Sequence, residues 1–142
     1  MTMDVILHVG AHRTATTVLQ KTMGASGPDM TEHGLVYWGP RTTRAGLFDG
    51  LIGRPKVLTE EMRKAASVRV SRRMRKAAQE GARTLFVSDE NMLGSMQAAL
   101  AGQGFYADAG TRVATVARAF VGSNVTLALA IRSHDTWWAS VH

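Results

Sequence analysis

Three clusters of polar residues in this sequence stand where chemistry could use them, each directly after an apolar run of strand length. The first, Gly10 to Thr17 in "HVGAHRTATTVLQ", follows Val5-Ile6-Leu7 and leads into a helical pattern. A glycine lets the chain turn sharply at a strand end. A helix that starts just beyond presents unpaired N–H groups and a partial positive charge to an anion. Thr14, Thr16 and Thr17 add hydroxyl donors, and Arg13 adds a permanent cation with forked donor geometry. The pattern departs from the nucleoside-triphosphate loop, GxxxxGK followed by Ser or Thr. Ala15 stands at the second glycine and Thr16 at the lysine, and only Thr17 agrees. That argues against a kinase or an ATPase. Taken alone, the stretch also fits a helix merely capped after a strand. The second cluster, Ser88 to Asn91, follows "TLFV", and the third, Arg132 to Ser140, follows "VTLALAI".

Positioning these clusters falls to alternating strands and helices. Val5 to Val9 reads as the first strand, and Thr16 to about Met23 as a helix broken by Gly24, Gly27 and Pro28. Residues 34–57 carry five glycines and two prolines and read as an irregular connection with at most a short helix. Thr59 suits the N-cap of the next helix, with Glu60 and Glu61 in its first turn. Met62, Ala66, Val70, Met74 and Ala77 recur every three or four residues, which gives that helix one inward face before Gly81 ends it. Thr84 to Ser88 is a second strand. Thr111 to Val121 is a further helix, with Val113, Val116, Ala117 and Phe120 inward, and 124–132 is a third strand. A last helix begins after Ser133, its candidate N-cap. Strands separated by helices favour right-handed crossovers, hence an α/β fold with a parallel sheet and ligands outside the strands' carboxyl ends. All three polar clusters lie at that edge.

A chain of 142 residues suits one domain, and 45% hydrophobic with 20% charged residues is a globular rather than a disordered composition. The absence of cysteine excludes disulfides, thiolate metal sites and cysteine nucleophiles, and suits a reducing compartment. No apolar run approaches the roughly 18 residues of a membrane span, and no basic leader with a cleavage site is recognisable at the N-terminus. The expected location is the cytoplasm. The net charge of +6, with a pI near 10.5, is concentrated between Glu60 and Arg83, where eight basic residues stand against three acidic ones. A solvated helix face, a patch for an anionic ligand and a patch for nucleic acid all fit that window. The lack of interleaved aromatic residues disfavours the last.

Two of the clusters together resemble the donor site of the sulfotransferases that use 3′-phosphoadenylyl sulfate. The 5′-phosphosulfate loop of that family runs roughly Gly-x-x-Lys-Ser/Thr-Gly-Thr-Thr/Ser ahead of a helix, and Gly10, Thr14, Thr16 and Thr17 match it. Its 3′-phosphate site is an Arg at a strand end and a Ser eight residues later in the next helix. Arg132 and Ser140 in "RSHDTWWAS" have that spacing, and "VSDEN" is similar to a segment of bacterial members. The resemblance runs in order over nearly the whole chain. It implies a P-loop-like three-layer α/β/α fold with a parallel sheet. It further implies a nucleotide held by His12, Arg13, Thr14, Ala15, Thr16 and Thr17 on one side and by Arg132 and Ser140 on the other. The implied activity is sulfonate transfer from 3′-phosphoadenylyl sulfate (PAPS) to a hydroxyl or amine acceptor such as a carbohydrate, with no metal.

The sequence departs from that pattern in three places. Arg13 stands where most members have Lys and supplies charge but no proton, although tyrosylprotein sulfotransferases also carry Arg. Ala15 stands where Gly is usual, at a cost of about 1 kcal/mol or more where φ is positive. Members continue well past the serine, so a fold incomplete at the C-terminus is expected, with Trp137 and Trp138 left little to pack against and apolar surface exposed. For the acceptor's proton, Glu90 is the first candidate base, so Arg13 and Glu90 are the expected catalytic residues. A helix-capping role suits Asp89 or Glu90 equally well. Glu32 and His33 follow as weaker candidates in what reads as a solvated loop. His8 and His12 straddle a strand end rather than share a helix face, and no metal site is expected there. A non-catalytic nucleotide-binding remnant of the same fold, or a basic nucleic-acid-binding domain, are the alternatives. No membrane partner is expected.

Overall fold

The computed structural model describes residues 2–52, 57–101 and 104–141. Four strands, β1 (Asp4–His8), β2 (Leu35–Trp38), β3 (Thr84–Ser88) and β4 (Asn124–Ala128), form one sheet in the order β2-β3-β1-β4. Every pairing in it is parallel. Helices α1 (Thr16–Ala25) and α2 (Gly27–Glu32) join β1 to β2. A single turn α3 (Pro40–Thr42), a wide turn at Thr43–Leu47 and the long α4 (Glu60–Gln79) lead to β3. A 3₁₀ turn at Glu90–Met92, then α5 (Met96–Leu100) and α6 (Ala109–Ala117), lead to β4, and α7 (His134–Val141) follows it.

The strand order fixes the layers. The chain steps from β1 over β3 to the far edge, then returns through β3 and across β1 to β4. Right-handed crossovers therefore put α1 and α2 on one face and α4 and α6 on the other. The α4/α6 face is the dry one. Val5 and Leu7 from β1, Val9 just after it, and Leu85 and Val87 from β3 form one core with Ala66, Val70, Met74 and Ala77 of α4 and with Val113 and Val116 of α6. The opposite face is covered more thinly: Ile6 and Phe86 are half-buried, and Thr16 is the buried residue of α1. The α/β class with an all-parallel sheet is thus as the alternation of elements implied.

Thr59 caps α4 by accepting a hydrogen bond from the Met62 N–H at 3.2 Å, as its position suggested. Elsewhere the elements differ from the sequence reading. Residues 35–38 form β2 inside the segment expected to be irregular, because a four-residue apolar run between two glycines is too short to show a period. Residues 53–56 of that segment lie outside the described residues. Pro28 does not end a helix; it sits in the first turn of α2, where its missing N–H costs nothing. β4 stops at Ala128, short of Arg132, although backbone bonds between residues 9–11 and 128–130 continue just beyond it. Trp137, expected to lack packing, is only 1% exposed. Exposed apolar surface is present, but on β4 and the stretch after it: Leu127, Leu129 and Ile131 are 55–81% exposed. Among the described residues, no helix is long and apolar enough to cross a membrane.

The basic window of the sequence occupies α4, and much of its charge is engaged locally. Arg63 pairs with Glu60 and Lys76 with Glu80. Arg69 donates to the Asp49 carbonyl, and the Arg73 guanidinium lies 5.6 Å from the Trp38 ring centroid. These contacts fit a solvated helix face, and Lys64, Arg72 and Arg75 remain exposed on it.

One glycine tests the packing of α4 against the turn before it. Gly50 has φ +88°, and a Cβ there would lie 2.7 Å from the Met62 carbonyl oxygen. Gly50→Ala should lower the unfolding free energy by about 2 kcal/mol, since strain and a backbone clash add. Urea denaturation measures it, and an unchanged midpoint would contradict the placement of this turn.

Candidate anion-binding site

The backbone after β1 builds the site. Gly10 has φ +103°, and a Cβ there would come within 2.9 Å of Glu90 Cβ, so only glycine lets the end of β3 pass so close. Val9 N–H donates to the Ala128 carbonyl, Ala11 N–H to that of Ala130, and Ala130 N–H to that of Gly10, at 2.6–3.1 Å. Arg13 and Ala15 both adopt left-handed conformations, φ 63° and 61°. The chain thus turns twice before α1 begins at Thr16. Ala15 is the residue before the helix and contributes no side-chain cap. The N–H groups of the first turn of α1 are therefore left without side-chain acceptors at the mouth of the site.

A cleft of about 280 Å³ opens there, lined by Arg13, Ala15, Thr16, Thr17, Arg132 and Ser140. Six of the eight residues expected to bind nucleotide thus share one cavity, although Thr17 and Arg132 are more than a hundred positions apart in the sequence. Arg132 Nη1 donates to the Arg13 carbonyl at 2.8 Å. The Arg13 guanidinium in turn donates to the Ser140 carbonyl through both Nε and Nη2. The other two residues are occupied differently. The Thr14 hydroxyl donates to the Ala11 carbonyl at 2.6 Å, which braces the loop from within. The His12 ring stacks on Tyr106, with Nδ1 2.6 Å from its hydroxyl, and the His12 N–H donates to that same oxygen.

Trp137 docks α7 onto this loop. Its indole N–H donates to the His12 carbonyl at 3.0 Å, and its ring meets Phe105 and Trp138 edge-on. Removing such a buried indole costs about 3–5 kcal/mol, whereas an exposed hydrogen bond contributes about 0.5–1.5 kcal/mol. The tryptophan rather than the arginines therefore holds Ser140 beside the loop.

A polar network lies at the end of β3. Asp89 is fully buried and accepts from Thr43 Oγ1 at 2.5 Å, from Arg44 Nη2 at 2.7 Å and from the Asn91 N–H at 3.0 Å. Asp89 is thus the carboxylate that caps the 3₁₀ turn. Glu90 accepts from Arg44 at 2.9 Å and from Gln20 at 3.0 Å, so both of its oxygens are engaged. Burial pushes the Glu90 carboxyl up, but hydrogen bonds from Gln20, its own backbone and Arg44 outweigh that and hold it below the usual range. The Arg44 guanidinium is shifted further up by its bonds to Asp89. Ser88 and His8 complete the network at 2.9 Å, and burial lowers the His8 pKa against an opposing effect of Glu90. Glu32 and His33 lie at the exposed end of α2, where the His33 ring bonds the Asp29 carbonyl. Among the described residues, no group of three or more His, Asp or Glu is arranged to hold a metal ion.

No family model, curated protein or solved structure matches this chain.

Arg44, Gln20, Tyr106 and Trp137 gave no functional signal in the sequence. Arg44 lay in the glycine-rich segment with no periodicity to place it. Gln20 and Trp137 read as ordinary helix positions, and Tyr106 fell between predicted elements.

Two outcomes follow. Ala15→Gly should relieve the left-handed strain and raise stability by up to about 1 kcal/mol, the extra freedom of the unfolded glycine offsetting part of the gain. A loss of stability on denaturant unfolding would count against that backbone. His8 and Glu90 both bind protons more readily in the unfolded chain. Stability should therefore fall with decreasing pH, first below about 6.5 as His8 would charge and again below about 4.5 as Glu90 would neutralise. Urea midpoints across that range would show both stages, and His8→Gln should remove the upper one.

Proposed function

We propose that the chain is a sulfotransferase with a P-loop-like α/β/α fold, transferring a sulfonate from 3′-phosphoadenylyl sulfate to a hydroxyl or amine acceptor. One observation carries this reading. The loop at the N-terminus of α1 and the Arg132/Ser140 pair line the same cleft, and a nucleotide with phosphates at two separate positions needs two anion sites on one sheet edge. The loop's N–H groups with Thr16 and Thr17 suit the 5′-phosphosulfate, and Arg132 with Ser140 suits the 3′-phosphate through charge-assisted hydrogen bonds.

In that role the chemistry is an in-line displacement. The acceptor oxygen or nitrogen forms a bond to sulfur, the sulfur–oxygen bond to the 5′-phosphate breaks, and the nucleotide leaves with the electron pair. Positioning and charge stabilisation supply most of the catalysis. Arg13 contributes charge to the leaving oxygen but no proton. An anion in the cleft offers its guanidinium a stronger acceptor than the neutral Ser140 carbonyl. Glu90 is the candidate for the acceptor's proton.

The engagement of both Glu90 oxygens favours a second reading, a nucleotide-binding remnant without transfer activity. A carboxylate held ionised by Arg44 and Gln20 is a weak proton acceptor.

Calorimetric titration with 3′-phosphoadenosine 5′-phosphate tests both. Binding that Arg132→Ala weakens by about a hundredfold, the loss of a charge-assisted bidentate contact, is expected. No binding by the folded wild-type chain rejects the two-phosphate reading. Binding without sulfonate transfer to any hydroxyl or amine acceptor selects the remnant.

A further inference from the structure

β4 is the outer strand of the sheet. β1 pairs with one of its sides, and among the described residues no strand pairs with the other. In a parallel ladder alternate residues bond to the same neighbour. Asn124, Ala128 and Ala130 bond towards β1 and the residues flanking it, so the N–H and C=O groups of Val125, Leu127 and Leu129 point to the open side. The side chains of those three residues share one face. Val125 and Leu127 stand in register with Val5 and Leu7 of β1, both buried in the core under α4 and α6. Val125 packs against that core, but Leu127 is 55% exposed, Leu129 57% and Ile131 81%. An apolar row thus runs out of the core along an unpaired edge.

Such an edge is a template for another strand, and monomeric proteins blunt it with lysine, proline or a bulge. Between Arg118 and Arg132 this chain has neither a charged residue nor a proline. The open groups are backbone, so the occupant is an extended strand. Charge and symmetry select a second copy. The net charge is +6, and two copies meeting through the basic surface of α4 would repel each other. A two-fold axis through β4 sets the central residue opposite itself, where like charges are destabilising, and the neutral stretch meets that requirement. A strongly charged partner would find nothing on this edge to match.

We propose that β4 pairs antiparallel with β4 of a second copy across a two-fold axis at Leu127. Two four-stranded sheets then become one continuous sheet, within the roughly ten strands that open sheets commonly hold. Leu127 exchanges both backbone bonds with its own mate, and Val125 stands opposite Leu129 of the other copy. An axis normal to the sheet keeps the faces aligned, so both leucine rows lie on the α6 side and bury one another. The interface is independent of the donor reading and goes beyond it.

Sedimentation equilibrium of the full chain tests it. The mass should move from 15.3 kDa towards twice that value as concentration rises. Leu127→Lys and Leu127→Glu should each stay monomeric to at least about tenfold above the wild-type midpoint, because like charges face each other across the axis. Mixing the two variants should restore the dimer, since Lys then faces Glu. A residue that merely supports the fold would show no such rescue. Leu127→Cys places one thiol in a chain that has none, and a short bis-maleimide should join two copies through it. Arg72→Cys, on the exposed face of α4, should give no joined product. If circular dichroism shows the charged variants unfolded, the cysteine pair decides alone. A wild-type chain that remains at 15.3 kDa, a dimer that survives the charged substitutions, folded variants that stay monomeric on mixing, or equal cross-linking at both cysteines overturns the proposal.

Discussion

The pairing of β1 with β4 does not stop where the strands do. Backbone bonds continue from Val9 and Ala11 to Ala128 and Ala130, and from Ala130 back to Gly10. That extension ties the loop before α1 to the segment that carries Arg132. The two walls of the small cleft are therefore held by main-chain hydrogen bonds rather than by the long side chains that line it. Long exposed arginines would supply the charge but could not supply the distance, because each retains considerable rotamer freedom. The rigid part of the site is backbone, and the adaptable part is guanidinium.

A second constraint acts from below. Asp89 is fully buried, and a buried carboxyl group is tolerated only when its oxygens are hydrogen-bonded. Thr43, Arg44 and the Asn91 N–H meet that need, and in doing so they pull the wide turn after α3 against the end of β3. Arg44 then reaches Glu90, and Gln20 of α1 reaches it from the other side. The wide turn after α3, α1 and the segment after β3 are thus coupled through one carboxylate pair.

Much of this was legible in the residues. β1, β3 and α4 follow from apolar runs and from three- and four-residue spacing, and the αL turn at Ala15 was the conformation whose cost the sequence already raised. The polar clusters fall at strand ends because parallel strands must all finish on one edge. What was not legible came from long-range contacts. β2 is too short to show a period, and its four residues become a strand only because β3 offers a ladder. Trp137 looked unsupported because Phe105 and the His12 carbonyl, its partners, are 32 and 125 positions away. Thr14 read as a ligand-facing hydroxyl, yet local geometry turns it onto the Ala11 carbonyl.

Chemical type, namely the forked cation at 13, the threonines at 16 and 17 and the Arg132/Ser140 spacing, and the place of the first two clusters after β1 and β3 were determined by the sequence alone. Residue identity and local period are enough for that, since each is a property of a few neighbours along the chain. Tertiary structure alone decided the strand order that sets β4 beside β1. It also decided the pairing of Arg44 with Asp89 and Glu90. Those depend on which surfaces meet after the chain closes loops tens of residues long, a choice made by total burial and hydrogen-bond satisfaction rather than by any one segment.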